Sequence, residues 1–247
     1  PTIDYVVTKI PRFTFEKFKL AKPKLGTSMK SVGEAMAIGR NFKESLQKGL
    51  VSLEIGYKGL DSLSKLTSKE LKKNLSQNLP DKLLIVAEAF RRKITLKNIY
   101  KITQIDPWFL EQVSDLVLEE KKLKKRGIPK TFEELSHIKS IGFSDEKIAE
   151  ITGKSKKEVQ EQRKKLGVFP VYKKIDTCAA EFKSETPYMY STYQNLTSNK
   201  SACESKPTNR KKIIILGGGP NRIGQGIEFD YCCCQAKFCF ETKKIET

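Results

Sequence analysis

The sequence predicts a mainly α-helical protein, in which a central helical domain is flanked by two incomplete α/β pieces. Three observations support this fold class. Helix-start and helix-end signals fill the chain from about Leu53 to Leu166. A β-branched run at Tyr5–Ile10 predicts a strand close to the first residue. A second apolar run, Ile213–Leu216, has the character of a central parallel strand and leads directly into a glycine-rich loop.

The first region, residues 1–52, begins with the strand at Tyr5–Ile10. A loop follows, and then a helical stretch that is interrupted near Gly39–Asn41. Asn41 and Glu44 resemble a helix cap, and apolar residues recur after them at helical spacing: Phe42, Leu46, Leu50 and Leu53. Because an isolated strand cannot bury its face, we expect residues before Pro1 to complete its sheet.

The helical region carries repeated capping signals. A hydroxyl stands three residues before a carboxylate in Thr67 with Glu70, Thr131 with Glu134, and Ser155 with Glu158. Each pair can satisfy exposed backbone N–H groups reciprocally. Asp106 and Pro107 predict a further helix start. Glycines occupy expected C-terminal caps at Gly127, Gly142, Gly153 and Gly167. The region is therefore predicted to form short helices joined by tight turns.

The helix expected at Pro107–Arg126 carries one apolar stripe. Its members are Trp108, Phe109, Val113, Leu116, Val117 and Leu123. Packing in the core is the simpler interpretation. Contact with another subunit is the alternative, and helical periodicity alone does not separate the two.

The chain is expected to become extended between Phe169 and Arg210. Val171–Thr177 has β-branched residues suited to a strand, and a tyrosine cluster follows at Tyr188, Tyr190 and Tyr193. Amphipathic tyrosines more commonly anchor an extended segment to a domain surface than stack on bases. Asn195–Asn209 is polar and predicts a linker or surface loop.

Charge and cysteine content exclude several classes of protein. The net charge is +18, but the basic runs alternate with glutamate at helical spacing and lack interleaved aromatic residues. This is typical of solvated helix faces, so we expect no nucleic-acid partner.

Three of the six cysteines are consecutive, at Cys232, Cys233 and Cys234, and His137 is the only histidine. We therefore expect neither a disulfide framework nor a metal site. The chain has no run of about 20 apolar residues, so we expect a cytoplasmic protein without a membrane partner.

The loop after Ile213–Leu216, GGGPNRIGQG, contains the candidate ligand-contacting residues. A dinucleotide fingerprint would need glycine at Arg222, and a Walker loop would need lysine at Gln225, so neither motif is present. Glycines nevertheless allow backbone N–H groups to approach a phosphate or carboxylate. The candidates are Gly217, Gly218, Gly219, Asn221, Arg222, Gly224, Gln225 and Gly226. Alternatively, the glycines only permit a tight turn, and Arg222 pairs with Glu228 or Asp230.

Five stretches of the chain resemble one known family, in the same order. DYVVTKIPRFTFEKF (Asp4–Phe18) and MKSVGEAMAIGR (Met29–Arg40) come first. VYKKIDTCAAE (Val171–Glu181) and TPYMYSTY (Thr186–Tyr193) follow, and GGGPNRIGQGIEFDYCC is the last. They resemble parts of the carbamoyl-phosphate synthase large subunit, running from the end of its first ATP-grasp unit into its second synthetase half.

The resemblance implies four regions. Residues 1–52 correspond to the C-terminal end of the carboxyphosphate-synthesis ATP-grasp domain. Residues 53–194 correspond to a helical oligomerisation domain with an extended connection, and residues 195–210 to a polar linker. Residues 211–247 correspond to the truncated start of the carbamoyl-phosphate-synthesis domain, which is a pre-ATP-grasp, Rossmann-like domain. For the apolar stripe, the family match favours subunit contact.

The resemblance also implies a parent enzyme that uses ATP and Mg²⁺. Such ligases convert bicarbonate and ammonia, or glutamine nitrogen, into carbamoyl phosphate through carboxyphosphate and carbamate. The implied partners are further copies of the chain, bound through the helical domain, and a glutaminase subunit or domain. Because the family's metal ligands and most nucleotide contacts fall outside this chain, we assign no catalytic or metal residue. We expect a fragment that is inactive alone. A standalone helical scaffold without catalysis is the alternative.

Overall fold

The computed structural model describes residues 5–17, 20–175, 184, 188–193, 203–216 and 228–247. The described residues form four strands and nine α-helices. In chain order these are β1 (Val6–Arg12), β2 (Gly33–Gly39), α1 (Phe42–Ser52), α2 (Ser68–Leu75), α3 (Lys82–Arg91), α4 (Leu96–Thr103), α5 (Pro107–Arg126), α6 (Phe132–Ser140), α7 (Asp145–Thr152), α8 (Lys156–Lys165), β3 (Val171–Lys174), β4 (Met189–Thr192) and α9 (Glu228–Thr242). The fold is mainly helical, as predicted.

β1 and β2 form an antiparallel pair covered on one face by α1. The register runs from Val6 opposite Gly39 to Arg12 opposite Gly33. The expectation of a helical stretch before Gly39 was wrong, and pairing of the first strand with β2 was not predicted. Small buried residues, Ala35 and Ala37, alternate with exposed neighbours in β2, and α1 packs over them. This two-residue period outweighs the helix propensity of the alanines.

Helices α2 to α8 surround a continuous apolar core. α3 packs on α2 and α5, and α7 packs on α5 and α8. The central buried side chains are Leu71, Leu75, Leu84, Val86, Ile99, Leu110, Leu135, Ile148 and Val159. Burial of such aliphatic side chains contributes about 1.5–3 kcal/mol each to the stability of this region.

The predicted caps largely form. Capping boxes with both reciprocal bonds begin α2, through Thr67 and Glu70, and α8, through Ser155 and Glu158. At α6 only half of the box is present, because Thr131 accepts from the Glu134 N–H without the return bond. All four predicted C-terminal glycines have positive φ. These features are local in sequence, which explains why they could be predicted.

Part of the predicted apolar stripe of α5 lies in the core, and part of it is exposed to solvent. Val113, Leu116, Val117 and Leu123 are buried, together with Leu110. Trp108 and Phe109 remain 49% and 43% exposed. The core interpretation therefore holds for the four inner residues, whereas the two aromatic residues at the start of the helix face outward.

β3 and β4 pair antiparallel, from Val171 opposite Thr192 to Lys174 opposite Met189. β3 thus covers the first part of the predicted strand, and residues 176–177 lie outside the described residues. Tyr190 is buried and its ring lies 5.8 Å from that of Tyr5, whereas Tyr188 is exposed. Two of the three tyrosines, Tyr190 and Tyr193, thus pack against neighbouring parts of the chain. Within the predicted linker, Glu204 contacts β3, because Lys173 Nζ lies 3.0 Å from Glu204 Oε1.

The run at 213–216 does not form the predicted central strand. In the described residues its region contributes one isolated parallel bridge, Lys212 with Glu246. Ile214 and Leu216 are 84% and 90% exposed. A central strand needs neighbours on both sides and cover on both faces, and the described residues supply neither around this run.

Candidate functional site at the junction of α1, α6 and β4

The predicted ligand loop, residues 217–226, lies outside the described residues. The structure therefore does not show whether Arg222 and its neighbours come together, and their assignment stays a prediction. Among the described residues, buried charged side chains also lie together where α1, the turn between α6 and α7, and β4 meet.

A cleft of about 460 Å³ opens at this junction. α1 lines it with successive turns of one face, through Glu44, Gln47 and Lys48. Lys139, which is part of α6, also lines the cleft. Tyr193, the residue that follows β4, lines it as well. Segments far apart in sequence thus contribute charged or polar side chains to one site.

Glu44 is the centre of the junction and is only 1% exposed. Its Oε2 accepts a hydrogen bond from the Arg40 backbone N–H at 2.7 Å and one from Thr192 Oγ1 at 2.9 Å. Its Oε1 lies 2.7 Å from Lys48 Nζ, one helical turn later. The carboxylate therefore links the end of β2, α1 and β4.

Lys48 bridges the same three segments. Besides the Glu44 carboxylate, its ammonium group donates to the Ile38 carbonyl at 3.0 Å and to the Ser191 carbonyl at 2.5 Å. Three oxygen atoms thus lie close to this ammonium group, two as hydrogen-bond acceptors and the Glu44 Oε1 as an ion-pair partner. The cation is therefore not free to bind an anionic ligand without giving up one of these contacts.

A second ion cluster lies beside the first, on α6 and α7. Lys139 Nζ lies 2.8 Å from both the Phe143 carbonyl and Asp145 Oδ1, and 4.8 Å from the centre of the Tyr193 ring. Arg163 Nε donates to Asp145 Oδ2 at 3.1 Å. Burial lowers the pKa of Lys139 despite Asp145. Burial alone would raise the pKa of Asp145, but the two neighbouring cations outweigh it and hold that pKa below its usual range.

α1 is also fastened directly to the end of α6. Asn41 Nδ2 donates to the Ser140 carbonyl and Gln47 Nε2 to the Ile141 carbonyl, both at 2.9 Å. Gly142 follows with φ of +95°, and a Cβ at this position would lie 2.9 Å from Glu44 Cα. Only glycine satisfies both the backbone conformation and the close approach.

Sequence reasoning identified part of this site and missed the rest. Asn41 does cap α1 by accepting from the Glu44 N–H, as expected. The Glu44 carboxylate, however, reaches past the cap to Arg40 and across to Thr192. Lys48 and Lys139 were not predicted. The helical period places positions 44 and 48 on the side of α1 opposite Leu46, so the sequence pattern contained no signal that these charges are buried.

The contacts at the junction hold segments together. Within the described ranges, no group of three or more His, Cys, Asp or Glu side chains is arranged to hold a metal ion. In the same part of the chain, no helix combines the length and apolar character needed to cross a bilayer.

Comparison with known proteins identifies the family. A family model described as the carbamoyl-phosphate synthetase large chain, oligomerisation domain, matches residues 34–167. A second, described as the carbamoyl phosphate synthase preATP-grasp domain, matches residues 209–247. The chain belongs to the carbamoyl-phosphate synthetase large-chain family. Helices α1 to α8 fall within the first match, whereas β3 and β4 lie between the two matches.

Similar large chains match along nearly the whole sequence. The carbamoyl phosphate synthase large chain of Brucella melitensis biotype 1 is 50% identical over 244 residues, covering 96% of this chain and 21% of the relative. Those of Rhizobium meliloti and Neisseria meningitidis serogroup B are each 51% identical, covering all of this chain and 22% of the relative. The chain thus spans about a fifth of the length of the curated large chains that it matches.

Proposed function

We propose that this chain is the central part of a carbamoyl-phosphate synthase large chain, where it connects the two synthesis halves and carries an assembly surface. The observation that carries the proposal is the junction. There Glu44 and Lys48 of α1 bind both the end of β2 and the end of β4. The start of the oligomerisation-domain match and the segment between the two matches are thus fastened to one helix.

The parent enzyme is proposed to be an ATP-dependent carbon–nitrogen ligase. It forms carbamoyl phosphate from bicarbonate and from ammonia or glutamine nitrogen, with Mg²⁺ and with a glutaminase subunit or domain as partner. Support comes from the names of the similar large chains and from their identity along this sequence. In this scheme residues 217–226 form a wall of the second active site, and Arg222 offers its guanidinium group to carbamate or phosphate oxygen.

Assembly is proposed to use an aromatic patch, defined here as Phe42, Trp108 and Phe109. The Phe42 ring lies 5.4 Å from the Trp108 ring and 5.3 Å from the Phe109 ring. Trp108 and Phe109 stack edge to face at 5.0 Å while about half of each side chain faces solvent. Large aromatic residues that are fixed in position yet exposed are typical of protein interfaces.

Sedimentation velocity of the chain at increasing concentration, under reducing conditions, tests this assembly surface. We expect reversible self-association, and we expect Trp108→Glu to shift the chain toward the monomer. An acidic residue in the first turn of α5 suits the helix dipole, so the helix itself should persist by circular dichroism. Phe169→Glu, at another exposed aromatic residue, is the matched control. A monomeric parent chain, or equal association of both variants, would contradict the proposal.

The assignment as part of a larger ligase has its own test. The chain incubated alone with bicarbonate, ammonia and Mg²⁺–ATP is expected to form no carbamoyl phosphate, because it spans only about a fifth of the length of the similar large chains. Detectable synthesis would show that the chain is a complete enzyme.

A further inference from the structure

Three consecutive residues at the end of β4 are held by two different helices. The Ser191 carbonyl accepts from Lys48, and the Thr192 hydroxyl donates to Glu44, so α1 holds both. Tyr193, the next residue, packs its ring against the Lys139 ammonium group of α6. The position of β4 therefore depends on the position of α1 relative to α6.

α1 and the end of α6 are themselves closely coupled. Asn41 and Gln47 donate to carbonyl groups at the end of α6, and Gly142 leaves no space beside the Glu44 backbone. A displacement of α1 must therefore move this turn or break two hydrogen bonds. Either change alters the geometry at Tyr193.

β4 also packs against β2 and pairs with β3. It belongs to a two-stranded sheet with β3, and each strand has four residues. An isolated two-stranded hairpin is at best marginally stable in water, so its contacts to the rest of the chain decide where it lies. Glu44 provides a charge-assisted hydrogen bond, which is roughly twice as strong as a neutral one. The buried Tyr190 and its ring contact with Tyr5 add apolar packing.

We propose that Glu44 is a positioning residue that, with Lys48, forms a latch on Ser191 and Thr192. The latch fixes the β3–β4 pair against α1, so that movement of α1 is passed to the polypeptide that follows residue 193. Its role in coupling two synthesis halves rests on the proposed function, whereas the latch itself is a property of this chain. It links residues before 53 to a strand that leads toward the preATP-grasp match at 209–247.

Hydrogen–deuterium exchange of the 247-residue chain, followed by mass spectrometry, tests the latch. The variants are Glu44→Gln, Thr192→Val and the double variant. Glutamine keeps the shape of the side chain but places a donor near Lys48 or near Thr192. Each single variant is expected to speed amide exchange in residues 188–193 by roughly ten- to hundredfold, from the loss of a charged hydrogen bond. Because the two changes break the same bond, the double variant should exchange at a rate close to that of Glu44→Gln.

Two further variants show whether the effect is specific. Thr192→Ser retains the hydroxyl and should restore slow exchange. Glu34→Gln removes an exposed carboxylate of β2, paired with Lys9, and should leave β4 unchanged. Unchanged exchange in residues 188–193 for Thr192→Val, or no rescue by serine, would overturn the latch. If Glu44→Gln does not fold, amide exchange in Thr192→Val alone still tests whether the latch exists. None of these outcomes depends on ligase activity, so the latch can fail while the proposed function stands.

Discussion

Lys139 Nζ lies 2.8 Å from Asp145 Oδ1, and the two side chains are only 6% and 11% exposed. Arg163 adds a second cation to the same carboxylate at 3.1 Å. One buried carboxylate therefore compensates two positive charges at the start of α7. Because charges taken out of water need partners, the loss of this carboxylate should be felt by both cations.

Asp145→Asn is expected to lower the free energy of unfolding by about 3–5 kcal/mol, because it leaves Lys139 buried without its counter-charge. Urea denaturation followed by circular dichroism measures this change. Glu161→Gln is the matched control, since Glu161 faces Lys157 at 3.9 Å on the exposed side of α8. Exposed pairs contribute about 0–1 kcal/mol. Equal losses for the two variants would refute this interpretation of the cluster.

The stability of the chain should fall in acid. Burial alone would raise the pKa of Asp145 and Glu88, but hydrogen bonds and neighbouring cations hold both pKa values below their usual range. Each carboxylate therefore contributes stability that is complete above the unfolded-state pKa of about 4 and is lost as pH falls through the lower folded-state value. Urea midpoints measured from pH 7 to pH 3 should decline mainly below about pH 4. We expect a shallower decline for Asp145→Asn, and identical profiles would count against the assignment.

Two glycines with positive φ should respond differently to alanine. Gly153→Ala meets no atom within 4 Å and adds only backbone strain, so we expect a loss of about 1–2 kcal/mol. Gly142→Ala adds a clash with the Glu44 backbone, and we expect a further loss of about 1–3 kcal/mol. Thermal unfolding of the two variants gives the comparison. A smaller loss at Gly142 than at Gly153 would mean that α1 and the α6–α7 turn are not closely packed.

Arg222→Ala tests the predicted ligand loop in a full-length large chain. If the guanidinium group acts in the second step, carbamoyl-phosphate synthesis should fall more than bicarbonate-dependent ATP hydrolysis. The two rates can be measured on the same preparation. Equal losses, or no loss in either, would show that Arg222 has no particular role in the second step.

Features that depend on residues close together in the sequence could be predicted, whereas contacts between residues far apart in the sequence could not. The caps of α2 and α8 depend on residues three apart and were found correctly. β2 was mistaken for helix, because its strand character comes from pairing with β1 and from cover by α1. The hydrogen bond from Thr192 to Glu44 spans 148 positions. No local pattern specifies such a contact, because position 44 lies on the side of α1 opposite Phe42 and Leu46.

The exposed segment near residues 213–216 and α9 has a practical consequence for samples of this chain. Apolar side chains at Ile214 and Leu216 are solvent-accessible, and so are the free thiols of Cys232, Cys234 and Cys239. Accessible thiols on separate molecules oxidise to covalent dimers in air. A non-reducing gel would reveal such cross-linked species, and fresh reductant would remove them. Keeping the thiols reduced therefore ensures that any dimer seen in the ultracentrifuge is held by surface packing and not by sulfur–sulfur bonds.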